Sequence, residues 1–489
     1  MSTQRLVTWI TFLAIFAMSA RVSVDSDTWW HLRAGQWIIE QRIVPQVDPF
    51  SYTRLGQLWQ YPGWLVEVPM AWIYKMLGPG GLNLWTAFMI TMAFAFIWRT
   101  LSGGAFLHAF VLVLAAAASG VYWAARPYLV TFLLAAIYLW LLEGDRWRRT
   151  HRSLNGLWAL PVLMVIWANS HGGFAIGFIL WGIYWFAEGV TWLLPVLFHR
   201  DSLGNGRQER FIRLSLIGGL MIAAVAVNPS GLAMLAYPFK TVSIGALQDY
   251  ILEWQSPDFH SRQVQPFIWL LLLTFGAVGA SRRRLALTDF GLIAGFAYLA
   301  LLAWRNVALF ALVAPPVLTR HAAPLLSVLG RRFGLRGASP AEPTRTQKWL
   351  NLVIFTVMIL AVVIKAGVDF PPAANQEAFR QTLPVGAVEF IKEKKPPGRL
   401  FNSYNWGGYL LWELPEYPVF IDGRTDLYND AVINQWLQVV RAEPGWQQIL
   451  DQWGVRLILL EPGMPVVGHL QKEDWQLFYQ DQQAVVYSR

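Results

Sequence analysis

The chain has 489 residues, 55% of them hydrophobic and only 14% charged, with a mean hydropathy of +0.38. A soluble globular domain carries about a quarter charged residues, so this composition excludes a wholly soluble protein and marks an integral membrane protein. The formal charge of +9, from 39 Lys and Arg against 30 Asp and Glu, fits basic cytoplasmic loops and not a nucleic-acid surface; the lack of Cys excludes disulfides, thiolate metal sites and thiol nucleophiles.

The first apolar run, residues 6–20, follows Arg5. Its length and flanks resemble a signal peptide, but a polytopic pattern follows, so a retained first span over 6–22 is expected. A polar loop, 23–63, comes next. From Asp25 to Tyr52 it reads DSDTWWHLRAGQWIIEQRIVPQVDPFSY. Ser26 to Glu40 has helical spacing, with Asp27 and His31 as i, i+4 neighbours on one face and Trp30, Ala34 and Trp37 on another. Pro45 and Pro49 break any helix and leave Asp48 on an extended or turn segment. An acidic loop on an apolar scaffold is where chemistry is expected.

Residues 64–77 are apolar but short, and they hold Glu67, Pro69 and Lys75. They read as a helix lying at the membrane interface. Further spans are expected at 82–98, 105–122, 128–142, 157–170, 174–198, 211–227, 267–280, 287–303, 307–318 and 349–366. With the first, that makes a bundle of about eleven spans. If 64–77 does not cross and the N-terminus is cytoplasmic, the basic segments 146–152, 199–213, 282–284 and 331–348 all fall inside, as the positive-inside rule requires. Glu188, within the sixth span, should then pair or lie near the inner interface.

The same topology gathers a second set outside, beside the first loop: Arg126-Pro127, residues 169–173 with His171, the long segment 228–266 with Glu253, Asp258 and His260, and Arg305-Asn306. Segment 228–266 is too polar to span and is expected to lie along the surface over a cavity. Residues 1–366 thus form a transmembrane domain. Residues 367–489 have ordinary polarity and read as a small α/β domain outside the membrane. Its expected strands are 399–403, 417–422, 455–461, 475–480 and 484–488, and its expected helices 388–394, 406–413, 431–441 and 445–453. The motif Asp422-Gly-Arg-Thr-Asp426 is either a binding loop after a strand or a tight turn with Gly423 at positive φ. Residues 337–343 read as a flexible cytoplasmic linker.

This plan resembles the GT-C class of membrane glycosyltransferases, which includes protein O-mannosyltransferases and the aminoarabinose transferase acting on lipid A. Asp27-Thr-Trp-Trp-His31 resembles the acidic element that follows the first span in that class, with Thr28 where many members carry a second acid. Residues 62–77 resemble its interfacial helix. The segments DTWWHLRAGQWI, VPQVDPFSYT, NPSG, GGYLLW and FIDGRTDLY are also similar to bacterial multi-pass membrane proteins. The resemblance covers residues 1–366 as architecture. It implies a glycosyltransferase in the cell-envelope plasma membrane that moves a sugar from a polyprenyl-phosphate donor to a lipid, glycan or protein.

Such a donor already carries a phosphate leaving group. The reaction needs a carboxylate to take the acceptor's proton and cations to hold the phosphate. On this reading Asp27 is the base, Asp48 orients the acceptor, and His31 and His171 carry protons or donate hydrogen bonds. Arg33, Arg126 and Arg305 hold the phosphate, and Glu253 positions the acceptor. Asp27 and Asp48 are the candidate ligands if a divalent metal is used; no HxxxH spacing and no phosphate-binding Gly-rich loop is present. Structural alternatives stay open: Asp27 as a helix N-cap, Asp48 as a turn residue before Pro49, Arg126 and Arg305 as interface anchors, and His171 as a partner for a buried backbone group. Two other functions stay open as well, a flippase for a lipid-linked substrate and an inert scaffold of the same fold.

Overall fold

The computed structural model describes residues 1–147, 156–197, 205–333 and 343–489. Much of the basic segment 146–152, the start of 199–213, part of 331–348 and nearly all of the expected linker 337–343 lie outside the described residues. Helices α1 (Thr3–Ser19), α3 (Trp64–Trp98), α4 (Ala105–Ser119), α5 (Tyr128–Trp147), α6 (Ala159–Ala168), α7 (Ala175–Leu197), α8 (Asn205–Val225), α11 (Gln265–Ala280), α12 (Leu287–Leu302), α13 (Val307–Arg332) and α14 (Arg345–Asp369) build the bundle. Among the described residues, six helical stretches are long and apolar enough to cross a membrane: Trp64–Trp98, Ala105–Tyr122, Tyr128–Trp147, Gly172–Leu194, Trp304–Arg332 and Arg345–Asp369. Three further apolar helices are shorter. At about 1.5 Å per residue, 16 residues such as those of α11 reach about 24 Å and need thinning or flanking turns to span 30 Å. Glu188 pairs with Arg210 at 3.3 Å, one of the two outcomes expected for it.

Trp64–Trp98 is not one straight rod. Gly78 has φ 62° and ψ −158°, which only Gly adopts freely, and Pro79 disfavours the α region for the residue before it. The kink divides 64–77 from 79–98, close to the division expected from the sequence.

Beside the bundle, α2 (Ser26–Gln41) packs on the first part of α3. Short helices α9 (Tyr237–Val242) and α10 (Gly245–Tyr250) lie in segment 228–266. The C-terminal domain contains α15 (Pro372–Thr382), α16 (Val385–Lys394), α17 (Gly407–Glu413), α18 (Thr425–Val440), α19 (Trp446–Gln452) and α20 (Val467–Leu470). Its sheet has the order β1-β2-β4-β3, from β1 (Arg399–Asn402), β2 (Val455–Leu460), β3 (Gln476–Gln480) and β4 (Val485–Ser488). β1 and β2 are parallel, and the other two pairings are antiparallel. Leu457, Ile458, Leu459 and Leu460 are fully buried, so the central strand is the core of this domain.

The expected strand 417–422 is absent from the sheet. Val419 makes only an isolated bridge to Ser51 in the first loop. Side chains replace the ladder around it: Asn402 accepts from the Phe420 N–H at 2.9 Å and donates to the Ile421 carbonyl at 2.7 Å, and Thr53 donates to the Phe420 carbonyl at 2.6 Å. Its apolar pattern reflects burial against the first loop, which periodicity does not distinguish from pairing in a sheet. Docking continues through α17, where a Cβ on Gly408 would lie 2.5 Å from the Ser26 carbonyl oxygen. Trp29 of α2 meets the edges of Phe379 and Tyr409, each with centroids 5.1 Å apart. The C-terminal domain is thereby seated on the helix that carries Asp27.

Candidate active site

The site begins at the N-terminus of α2. Asp25 is the N-cap, and its carboxylate accepts from the N–H groups of Asp27 at 2.9 Å and Thr28 at 3.3 Å. Capping therefore falls to Asp25, and the Asp27 side chain is left for other work. Thr28 donates to the Ala125 carbonyl at 3.1 Å, which brings segment 122–127 onto the start of α2. Arg126 is delivered in this way. Its guanidinium contacts Asp27 at 2.7 Å, Asp25 at 3.2 Å and Glu253 at 2.7 Å.

Three carboxylates thus share one guanidinium. Burial pushes the Asp27 carboxyl up; Arg126 opposes this, but Asp25, Glu253 and Asp422 add to it, and its pKa stands at about 7. Burial also pushes Glu253 up, but Arg126 and Arg305 outweigh it and hold it below the usual range. For Arg126, burial is outweighed by the surrounding acids, which hold it protonated well above its ordinary value. The Asp27 side chain keeps 17% of its surface exposed. The sequence reading gave Arg126 the phosphate; its saturation by three carboxylates instead makes it the post that aligns them.

Arg305 is different. It sits over Trp254 at 4.5 Å and Tyr122 at 5.9 Å from the ring centroids, and it makes no ion pair among the described residues. Tyr122 also approaches Glu253 at 3.5 Å, which links Arg305 to the acidic cluster. His171 lies on the same side. Its Nδ1 accepts from the Gly173 N–H at 3.0 Å and from the Thr131 hydroxyl at 2.8 Å, and that hydroxyl accepts in turn from Trp167 at 2.8 Å. This fixes the tautomer with the proton on Nε2. Burial, then Arg305 and Arg126, lower the His171 pKa to about 3, so the ring is neutral. His171 does satisfy a backbone group, as one alternative held, and it keeps a donor besides.

The C-terminal domain closes the site with its Asp422-Gly-Arg-Thr-Asp426 loop. Gly423 is not at positive φ. It is glycine because a Cβ there would overlap the Asp27 Oδ1 and lie 2.8 Å from its Cγ. Among the described residues the indole N–H of Trp30 has no hydrogen-bond partner, and its nitrogen would lie 3.2 Å from that same Cβ position. Asp426 accepts from the Tyr237 hydroxyl at 3.2 Å, and burial pushes its carboxyl up to about 6. Segment 228–266 is held over this end by that bond and by the Ala246 N–H donating to Asp430 at 2.9 Å.

Three expected site residues lie elsewhere. Asp48 is fully buried and pairs with Arg424 at 2.6 Å, while accepting from the Phe50 and Ser51 N–H groups at 3.0 Å each. Arg424 binds Asp422 at 2.7 Å and lies over Trp59 at 4.7 Å. Burial pushes Asp48 up, but Arg424 and the hydrogen bonds from Ser51, Arg424 and Phe50 outweigh it and hold its pKa down. Asp48 is a latch between the first loop and the C-terminal domain, with no access to an acceptor. Arg33 pairs with Glu40 at 3.7 Å and lies over Phe50, because six residues along a helix from Asp27 is the wrong face. His31 is buried against Glu67 through Nδ1, and burial, Arg126 and His171 hold it well below its ordinary pKa. It braces α2 on α3 in neutral form and is not positioned as a base.

Asp27 and Asp48 are not arranged as a pair of metal ligands. Asp25, Asp27 and Glu253 converge on the Arg126 guanidinium, Asp48 is turned to Arg424, and among the described residues no group of three or more acidic or imidazole ligands is arranged for a metal. The pairing of Asp27 with Asp48 as metal ligands is thereby corrected.

The archaeal oligosaccharyltransferase AglB of Archaeoglobus fulgidus, in complex with an inhibitory peptide and a dolichol-phosphate, superposes with a TM-score of 0.58 at 11% identity, over 99% of this chain and 74% of that one. ArnT from Cupriavidus metallidurans in the apo state superposes with a TM-score of 0.50 at 14% identity, over 99% of this chain and 97% of that one. The fold is that of the GT-C glycosyltransferases. The A. fulgidus enzyme complexed with Zn and sulfate has the same fold, with a TM-score of 0.51 at 13% identity over 98% of this chain and 73% of that one. No family model and no curated protein matches the sequence.

Proposed function

We propose that this protein is a glycosyltransferase that moves a hexosyl or pentosyl group from a polyprenyl-phosphate donor to an extracytoplasmic lipid, glycan or protein. One observation carries the reading. Asp27 is free of capping, partly exposed, poised at about 7, and set between the bundle and the C-terminal domain with a cation, Arg305, that has no ion-pair partner among the described residues. A base is most effective when its pKa lies near the working pH.

In this mechanism the acceptor oxygen attacks the anomeric carbon of the donor. The bond from that carbon to the phosphate oxygen breaks, and the acceptor proton passes to Asp27. The departing lipid phosphate leaves with the electron pair of that bond and so gains a second negative charge, which Arg305 holds and the His171 Nε2–H supplements. Arg126 keeps Asp25, Asp27 and Glu253 in register, and Glu253 lies where an acceptor would be oriented. Asp426 and Tyr237 shape the other wall.

The arrangement in the membrane belongs to the same proposal. About eleven spans cross the plasma membrane, the N-terminus is cytoplasmic, and 367–489 sits outside as a separate domain. The described basic residues Arg99, Arg146 and Arg283, at the end away from Asp27, support this orientation.

The test is transfer of labelled sugar from a panel of polyprenyl-phosphate sugars to a host lipid and envelope extract, with wild type beside Asp27→Asn. Transfer by wild type and its loss in the variant, with unchanged melting, is expected. Equal transfer by both removes Asp27 from catalysis, and lipid movement across the bilayer without transfer points to a flippase.

A further inference from the structure

The end of the bundle away from Asp27 holds a cavity of about 310 Å³ between the tail of α3, the tail of α5, the loop after α11 and the middle of α13. α5 runs from Tyr128, beside the candidate active site, to Trp147 at this cavity, and its 20 residues at about 1.5 Å each separate the two by about 30 Å. The two sites therefore share no residue.

The floor is a closed ion network. Arg320 binds both Glu143 and Asp289. Arg146 binds Asp289 at 2.6 Å and Glu143 at 3.2 Å. Glu143 also accepts from Trp147 at 2.8 Å and from Tyr184 at 2.5 Å. Two guanidinium groups and two carboxylates cancel, and the carboxylate oxygens are already engaged. The rim adds Arg99 and Arg283, both exposed and neither in an ion pair among the described residues. Among the described residues the Arg99 guanidinium donates to the Ala95 carbonyl at 3.2 Å and lies 5.8 Å over the Phe96 ring, and Arg283 lies 5.7 Å over the Trp147 ring. With four arginines and two acids, the site has a net charge of 4 − 2 = +2. A solvated basic face has no concavity and no buried counter-network, whereas this one has both. The network also fixes Trp147 through its bond to Glu143, and one of the two free guanidinium groups, that of Arg283, lies over this ring.

We propose that this cavity binds a phosphate-bearing anion, held by the guanidinium groups of Arg99 and Arg283 above the neutral floor. Guanidinium forks match phosphate oxygens, and a volume near 300 Å³ is at the lower end for small-ligand sites. The phosphate is supplied either by a lipid headgroup of the adjacent leaflet or by a soluble phosphate compound.

The experiment uses the full chain in phosphatidylcholine nanodiscs and two probes, phosphatidylglycerol and inorganic pyrophosphate. The R99Q/R283Q variant removes the rim. The R282Q/R284Q variant removes the same charge from exposed neighbours that do not line the cavity. Native mass spectrometry counts retained phosphatidylglycerol, and thermal protection reports pyrophosphate. Retention of phosphatidylglycerol that falls about tenfold in R99Q/R283Q and not in R282Q/R284Q supports the site with a lipid source. The same pattern for pyrophosphate protection supports it with a soluble source. Neither probe bound by wild type, or equal loss in both variants, overturns the proposal. Both variants are expected to melt with the wild type, since no exchanged arginine makes a described ion pair; if R99Q/R283Q does not, R283Q alone is compared with R282Q.

Discussion

Gly423→Ala is the sharpest probe of how the C-terminal domain serves the site. The added methyl would lie 2.8 Å from the Asp27 Cγ and overlap its Oδ1. Carbon atoms in contact settle at about 3.5–4.0 Å, so the Asp27 carboxylate must retreat by about 1 Å or the loop must lift by the same amount. A misplacement of about 1 Å at a reacting group costs on the order of 10²-fold in rate. The variant should therefore lose about that factor in turnover, with little change in the KM for the donor. Overpacking adds a stability cost of about 1–3 kcal/mol, which a melting curve reports separately. The double variant with Asp27→Asn isolates the cause: if the methyl acts through Asp27, Gly423→Ala lowers the residual activity of Asp27→Asn no further. Full activity in Gly423→Ala, or the same fractional loss with and without Asp27, would refute the reasoning.

Arg424→Gln strands Asp48 and Asp422 without their buried cation, and should cost about 3–5 kcal/mol in the unfolding of the C-terminal domain, read by urea or thermal proteolysis; a loss below about 1 kcal/mol contradicts the latch. Arg305→Gln should raise the donor KM at least about tenfold with only a small drop in melting, because two ring contacts but no ion pair among the described residues are lost. The pH dependence follows from Asp27. A base with pKa about 7 gives activity that rises as pH passes through 7, and a flat profile across that range excludes it. The stability sign is opposite: the folded-state pKa is raised, so the contribution of protonated Asp27 is complete below the ordinary carboxylate pKa and is lost as pH climbs through about 7. Asp27→Asn should remove that part of the stability slope.

Which polar segments share one end of the bundle was legible, because apolar helix lengths and charge asymmetry are displayed directly by a sequence. Counting spans and sorting basic loops placed Asp27, Arg126, His171, Glu253 and Arg305 on one side, and the structure brings them together there. Pairing was not legible. Asp48 and Arg424 are 376 residues apart, and nothing local to the Val-Asp-Pro turn announces a guanidinium. Glu67 passed as a polar residue on an interfacial helix, yet it is fully buried against His31. The fault with Arg33 was avoidable, since the helical repeat already turned it away from Asp27. The sequence marks Asp422–Asp426 as a loop, but nothing local to it separates a need for positive φ at Gly423 from a need for space. Its true constraint is the neighbouring carboxylate, which belongs to another domain.

The central claim is that a lipid phosphate sits beside Arg305 with Asp27 facing the sugar. A structure of the full protein in lipid with undecaprenyl phosphate tests it most directly. The account predicts phosphate density against the Arg305 guanidinium and the His171 Nε2, in the cleft closed by Gly423. A cleft left empty under saturating lipid phosphate, with Arg305 still stacked on Trp254 and Tyr122, would contradict it.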